Sequence, residues 1–318
     1  MRSTEKEGGL PRSPQNGAGS LKSPENGPGL ARSAEERLGW LLSAPAVLAM
    51  LVVTVYPILY AVWLSLFRYD LRFPDRRAFV GLDNYVSVLT SGVWWESVLN
   101  TFIITVGSVS AELVLGMALA LVMHRAVFAR RTLRASILIP YGIITVVAAL
   151  AWKFAFDPVT GFINPLLGLD QAWLSQRWSA FLVIILTEIW KTTPFMALLL
   201  LAGLTLVPRD LLDAARVDGA SAVQRFFRVT LPIMKPAVMV ALLFRTLDAF
   251  RIFDTVFVQT RGAQGTESVS IVGYHALIIR LNLGLGSAVS VLIFLFVVAI
   301  ALLFIKGFGT RLARGEER

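Results

Sequence analysis

Cysteine is absent from these 318 residues, and only two histidines, His124 and His275, occur. Disulfides, thiolate metal sites and cysteine nucleophiles are therefore excluded. The histidines lie far apart, with no carboxylate in metal-ligand register. No G-x-x-x-x-G-K-[S/T] occurs, so the chain has no P-loop for ATP. Charge is scarce as well: 16% of the residues are charged, against roughly a quarter in a soluble domain. A membrane enzyme would need a convergent catalytic set, and no such set is visible.

What fills the chain instead is apolar surface, 56% of residues, gathered in long runs that a bilayer can bury. Six segments, at 39–66, 98–123, 135–155, 179–203, 237–258 and 285–305, are each near the ~20 residues a spanning helix needs. The third, with Pro140 and Gly142, is the weakest; neighbouring helices can satisfy the carbonyls it frees. Residues 1–35 read differently. Arg12-Ser13-Pro14-Gln15-Asn16-Gly17 is echoed by Lys22-Ser23-Pro24-Glu25-Asn26-Gly27, a polar repeat expected to be a disordered cytoplasmic tail. The first apolar run begins near Leu38, too late and too long for a simple cleaved signal peptide.

Lysine and arginine set the expected orientation. With the N-terminus cytoplasmic, nineteen of them fall inside, in the tail, the 124–134 and 204–236 loops and the C-terminus, against eight outside. Both termini are thus expected in the cytoplasm of a multi-pass inner-membrane protein. The basic balance then reflects topology and anionic lipid rather than nucleic acid. Outside, residues 68–97 and 156–178 are more than simple turns, the latter an irregular loop punctuated by Pro158, Gly161, Pro165 and Gly168. Trp95, Trp152, Trp173 and Trp178 sit near segment ends, where indoles favour the headgroup level over a sugar-stacking role.

The 204–236 stretch is too structured for an ordinary cytoplasmic connection. Pro208 opens a short helix with Asp210 in its first turn, Ala214 and Ala215 leave room for a close partner, and Gly219 lets the chain turn. A second piece, about 220–230, places Val223, Phe226 and Phe227 on one face before Pro232 and Pro236 close it. Physics alone leaves two readings level: a docking element for another protein, or a helix lying on the lipid surface.

Here the sequence resembles a known family. Asp213-Ala214-Ala215, then Asp218-Gly219-Ala220, Leu231-Pro232 and Pro236, resemble the EAA loop of binding-protein-dependent ABC importer permeases. The likeness implies that 205–236 forms coupling helices seated in a cleft of an ATPase subunit. Asp213, Ala214, Ala215, Arg216, Asp218, Gly219 and Ala220 would lie at that contact. The family's leading Glu is Asp213 here, the same charge on a shorter arm. Val80-Gly81-Leu82-Asp83-Asn84-Tyr85 resembles the outer-loop signature of maltose-type sugar permeases, and Asn100-Thr101, Ile139-Pro140 and Glu188-Ile189-Trp190-Lys191 also fit. Thr260-Arg261-Gly262-Ala263-Gln264-Gly265 stands where Gly-Gly-Pro is usual. The resemblance covers about 38–308, and stretches 138–146, 188–203 and 241–254 are similar to trehalose-carrying permeases of the family.

The resemblance implies an all-α integral membrane fold of the type I ABC importer permease kind, with its six-span domain at 36–310. It also implies a non-catalytic subunit that binds no cofactor itself. ATP and Mg would be bound by two copies of an ABC ATPase. A homologous second permease and an extracytoplasmic sugar-binding protein or lipoprotein would complete the assembly. The runner-up class is an ion-driven secondary transporter, which commonly shows inverted repeats with matched broken spans; none is visible.

Ionisable residues within spans are costly and usually face protein or a watery cavity. The fifth span carries Arg245, Asp248, Arg251 and Asp254 at intervals of three, spaced to pair along one helix. Glu188 and Lys191 form a second pair of this spacing. Two readings stand: a self-neutralising network joining helices, and a lining for a sugar path. Asp248 and Arg251 are the leading candidates for the path, with Glu188, Lys191, Tyr141, Trp190, Phe250 and Phe253 beside them. Glu112, alone in the second span, is expected to be satisfied against the partner permease.

Overall fold

The computed structural model describes residues 28–125 and 130–312. They fall into two units that meet between Tyr56 and Pro57. The first is represented by helix α1, Pro28–Ser65, whose Gly39–Ser65 stretch is long and apolar enough to cross a membrane. Every side chain from Gly39 to Tyr56 is exposed, a surface that hydrocarbon accepts and water does not. Most of the expected tail lies outside the described residues, but its last part is already helical from Pro28. Proline suits a first helical turn, and the Ala, Glu and Arg residues that follow are good helix formers.

The second unit begins with two short antiparallel strands, β1 (Phe67–Arg68) and β2 (Ala78–Phe79). Helix α2 (Asp83–Leu89) follows, then the long α3 (Gly92–Arg125). Asn84 ties this entrance together, its amide donating to the carbonyls of Ser65 at 2.7 Å and Phe67 at 2.9 Å. Helices α4 (Arg130–Gly142) and α5 (Thr145–Ala155) make one broken span, bent by 89°. The bend falls just after Pro140, where a missing N–H and a ring clash end regular helix. Short α6 (Ile163–Leu167) precedes α7 (Arg177–Thr205). Beyond it come α8 (Arg209–Val217), α9 (Ala222–Arg225), α10 (Leu231–Phe250), α11 (Asp254–Gln259), α12 (Val269–Tyr274) and α13 (Leu283–Leu312). Among the described residues, five helical stretches are long and apolar enough to span, and the broken pair, taken as one span, makes a sixth.

The centre of the unit is the packing of α3, α7 and α10. Lipid tails are as apolar as leucine, so close van der Waals contact rather than water exclusion must hold these helices together. Small residues permit it. A Cβ on Gly116 would stand 2.8 Å from the Met196 side chain, and one on Gly203 would meet Ala237 at 2.5 Å. Met123, Met196, Leu200, Met234 and Ala241 fill the resulting seam, each essentially inaccessible. A second cluster joins Trp94, Phe250, Val269 and Val289 around α13.

Three sequence expectations change. Pro232 and Pro236 do not close the second helical piece of the loop, which runs from Ala222 through a π turn at Phe226–Thr230 into α10. The Leu231 N–H reaches back to the Phe226 carbonyl, so the backbone register has already shifted where Pro232 lacks its donor. Conversely, the fifth span is not one helix: it stops at Phe250 and restarts at Asp254. Among the outer tryptophans, Trp173 is buried in its loop, donating from Nε1 to Asn164 Oδ1 at 2.6 Å. Its ring meets Phe156 edge-on, and Trp152 stacks on Phe156, so these two aromatics build a loop core.

Candidate functional site: a polar cavity and a cytoplasmic loop

Two helix breaks face α7 across a cavity of about 410 Å³. That falls within the roughly 300–1,000 Å³ of small-molecule sites. From the α4–α5 break come Tyr141 and Thr145; from α7 come Glu188, Lys191 and Thr192. The α10–α11 break supplies Asp248, Arg251, Phe253, Asp254 and Thr255. Backbone that leaves the helix at membrane depth is tolerated where it lines such a cavity.

Behind this lining lies a buried ion pair. Arg245 is fully inaccessible on α10 and grips Glu112 of α3, also inaccessible, through Nε–Oε2 at 2.6 Å and Nη2–Oε1 at 2.9 Å. The Thr192 hydroxyl adds a third donor to Glu112 at 2.8 Å, bringing in α7. Glu112 is therefore satisfied within its own chain and not by a partner, because α10 crosses α3 at its level. The remaining guanidinium nitrogen of Arg245 bonds Asp248, whose side chain is 72% exposed. Arg245 thus holds one carboxylate in the protein interior and presents another to the cavity.

The other charges divide in the same way. Glu188 does not pair with Lys191; it is buried and accepts the Thr255 hydroxyl from α11. Lys191 Nζ lies 5.5 Å from the Tyr141 ring centroid, a cation–π contact, and Tyr141 stacks on Phe195. Arg251 faces the cavity without an ion-pair partner among the described residues, because the helix ends before it can pair with Asp254. Phe250 is placed elsewhere, buried against Phe296, and Trp190 stands outside the cavity against Trp152. Phe253 lines it.

Sequence reading gave no role to Thr192 and Thr255, which satisfy buried carboxylates, nor to the final placement of Asn100. The Asn100 amide donates to the carbonyls of Gly265 and Glu267 and accepts from Arg177. It anchors the loop that departs from Gly-Gly-Pro, where Arg261, Gly262, Gln264 and Gly265 all adopt positive φ. Polar residues with small-residue neighbours inside an apolar run were the available signal.

The 205–236 loop, expected on the cytoplasmic side, is a helix, a turn and a second helix. α8 ends in a complete Schellman motif: the Ala220 N–H bonds the Ala215 carbonyl at 2.9 Å and the Gly219 N–H bonds that of Arg216 at 3.1 Å. Gly219 takes φ +79° with open space around its α-carbon, so glycine is required there by backbone conformation and not by crowding. Ser221 then caps α9 in a reciprocal box with Gln224. Asp213 and Arg216 make a loose ion pair at 3.6 Å, both about 70% exposed. Asp213, Ala214, Arg216, Asp218 and Gly219 lie on the surface, with Ala215 and Ala220 half-buried beneath them. Leu211, Val217, Val223 and Phe227 add a bare apolar face beside these residues.

The chain is similar to known proteins. Residues 112–315 match the model of the family described as binding-protein-dependent transport system inner membrane component. The trehalose transport system permease protein SugA of Mycobacterium tuberculosis is 54% identical over 279 residues, 88% of this chain and 91% of that protein. The trehalose/maltose transport system permease protein MalF of Thermococcus litoralis is 41% identical over 244 residues, 75% and 82% of the two chains. A bacterial ABC transporter that imports the acidic polysaccharide alginate superposes with TM-score 0.73 at 20% identity, over 87% of this chain and 97% of its own. The stretch matched by the family model takes in the cavity, the buried ion pair and the loop alike. The chain belongs to the family of inner-membrane permease components of binding-protein-dependent ABC transport systems.

Proposed function

We propose that this chain is the permease subunit of an ATP-driven importer of trehalose, forming half of the translocation path. The observation that carries the proposal is the polar cavity between two broken spans, in a chain whose relatives are trehalose permeases. Sugar hydroxyls donate to Glu188, Asp248 and Asp254 and accept from Lys191 and Arg251, while Tyr141 and Phe253 offer apolar faces to the rings.

In this reading a homologous second permease completes the cavity, and an extracytoplasmic sugar-binding protein delivers the ligand. Both termini and the 205–236 loop lie in the cytoplasm. Two ATPase subunits hold ATP and Mg and receive α8 through Asp213, Ala214, Ala215, Arg216, Asp218, Gly219 and Ala220. Closure of the ATPase dimer moves that helix. α9, joined to α8 by the turn at Gly219, continues through the π turn into α10, so that motion has a helical path to Arg245 and Asp248.

The test is uptake of labelled trehalose by the reconstituted complex. Collapse of the ion gradients with ATP preserved leaves uptake intact. Uptake that stops while ATP stays high makes the protein an ion-driven transporter and overturns the proposal.

A further inference from the structure

Beneath the cytoplasmic loop lies a second cavity, of about 210 Å³, unrelated to the sugar path. The ends of α3 and α7 form its floor, with Leu204 and Val207, and α8 and α9 form its roof. Arg125, Arg216 and Arg225 are among the residues that line it, together with His124 and the apolar side chains of Leu121, Leu212 and Phe226. Their partners do not balance them. Arg225 donates to the Ala220 carbonyl at 2.7 Å, and Arg216 has only Asp213, 3.6 Å away. Arg125 has neither an ion pair nor a hydrogen bond among the described residues. Among the described residues, no carboxylate lines the cavity.

The height of the cavity is set by α3, whose apolar run ends near residue 123, so His124 and Arg125 follow directly on the membrane-spanning part of that helix. A cation in a last helical turn is favourable to the helix dipole, which accounts for Arg125 or His124 alone. It does not account for Arg216 and Arg225, which border the same cavity from α8 and α9. Basic pockets at span ends bind phosphate headgroups, and guanidinium is suited to bidentate phosphate contact.

We infer that this pocket binds a phosphate group, supplied by an anionic phospholipid headgroup or by a soluble phosphate, between Arg125 on the bundle and Arg216 and Arg225 on the loop. The cavity has room for the group and its waters, since a water occupies about 30 Å³ of liquid volume. Such an anion ties the loop to the ends of α3 and α7. Any effect on coupling rests on the role proposed for the loop above, but the binding itself does not.

The experiment uses the full-length chain in phosphatidylcholine nanodiscs doped with phosphatidylglycerol, re-extracted and weighed by native mass spectrometry. Wild type retains phosphatidylglycerol over phosphatidylcholine, Arg125→Gln lowers that retention roughly tenfold or more, and Arg125→Lys retains more than Arg125→Gln. Inorganic phosphate that binds in pure phosphatidylcholine discs and displaces phosphatidylglycerol identifies a soluble source; phosphate without effect identifies the lipid. Equal retention of the two lipids, or of phosphatidylglycerol by wild type and Arg125→Gln with no phosphate binding to either, overturns the inference. Loss of the retained lipid on adding the ATPase subunit, with Arg125→Gln weakening ATPase affinity, assigns the pocket to that protein and overturns it as well.

Discussion

Two charge pairs of the same types, each three residues apart on a helix, meet opposite fates in this molecule. Arg245 and Asp248 sit beside a membrane cavity, with the guanidinium wholly buried and doubly bonded to Glu112. Asp213 and Arg216 sit on α8, 3.6 Å apart and mostly exposed. Spacing makes the pairs look alike, but burial separates them. An unpaired charge is costly in the first setting, so the network is integral to the packing of α3, α7 and α10. In the second, water and salt solvate either residue alone, which leaves both free for another protein.

The largest effect therefore falls on Arg245. Arg245→Met leaves Glu112 buried without its partner and costs about 3–5 kcal/mol, read as a fall in thermal stability of the purified chain. The double change Glu112→Met with Arg245→Met recovers most of that loss, because two apolar side chains replace a matched pair. A double variant no more stable than the single one would mean that the pair is not what holds these helices.

Next in size is a break in the loop. Pro at position 215 removes an N–H from the middle of the nine-residue α8 and clashes with the Leu211 carbonyl, about 3 kcal/mol of helix stability. Ala215→Pro is expected to abolish uptake while membrane insertion and thermal stability of the spans persist. Normal uptake by this variant would remove the loop from the mechanism.

The sequence made these two regions unequally legible. Its apolar runs marked six spans, and Pro140 with Gly142 marked the span that breaks, because those residues act locally on the backbone. The break at Arg251 has no such mark: Ala249-Phe250-Arg251-Ile252-Phe253 contains neither Gly nor Pro. Tertiary contacts end that helix, among them the Ser268 hydroxyl on the Ile252 carbonyl and the Ser270 hydroxyl on that of Arg251. Phe250, expected as an aromatic cover for a sugar ring, instead faces α13 and does not line the polar cavity. Glu112 was misread for a related reason, since its partner lies 133 residues away and no local pattern joins them. The loop was clearer, because a Schellman glycine and a Ser–Gln capping box are local by construction.

A smaller effect tests that glycine. Gly219→Val places a β-branched residue at φ +79° and costs roughly 1–2 kcal/mol of loop order, whereas Gly219→Asn, which visits this region more readily, costs less. Uptake should fall in the order glycine, asparagine, valine. If a bulky side chain with φ restored by neighbouring changes still blocked uptake, crowding against a partner would be the cause and not backbone strain.

The smallest effect on the chain itself belongs to Asp213, and it bears most directly on the contrast. Asp213→Asn removes the carboxylate from an exposed pair worth about 0–1 kcal/mol, so thermal stability should stay within the measurement. Raising the salt concentration should erase any remaining difference, since exposed charges are screened beyond about 8 Å at physiological ionic strength. If the residue serves a partner, affinity for the ATPase subunit and coupled uptake fall with stability unmoved. A Tm that dropped as far as in Arg245→Met would mean that Asp213 is needed by its own chain, and the two pairs would no longer differ in kind.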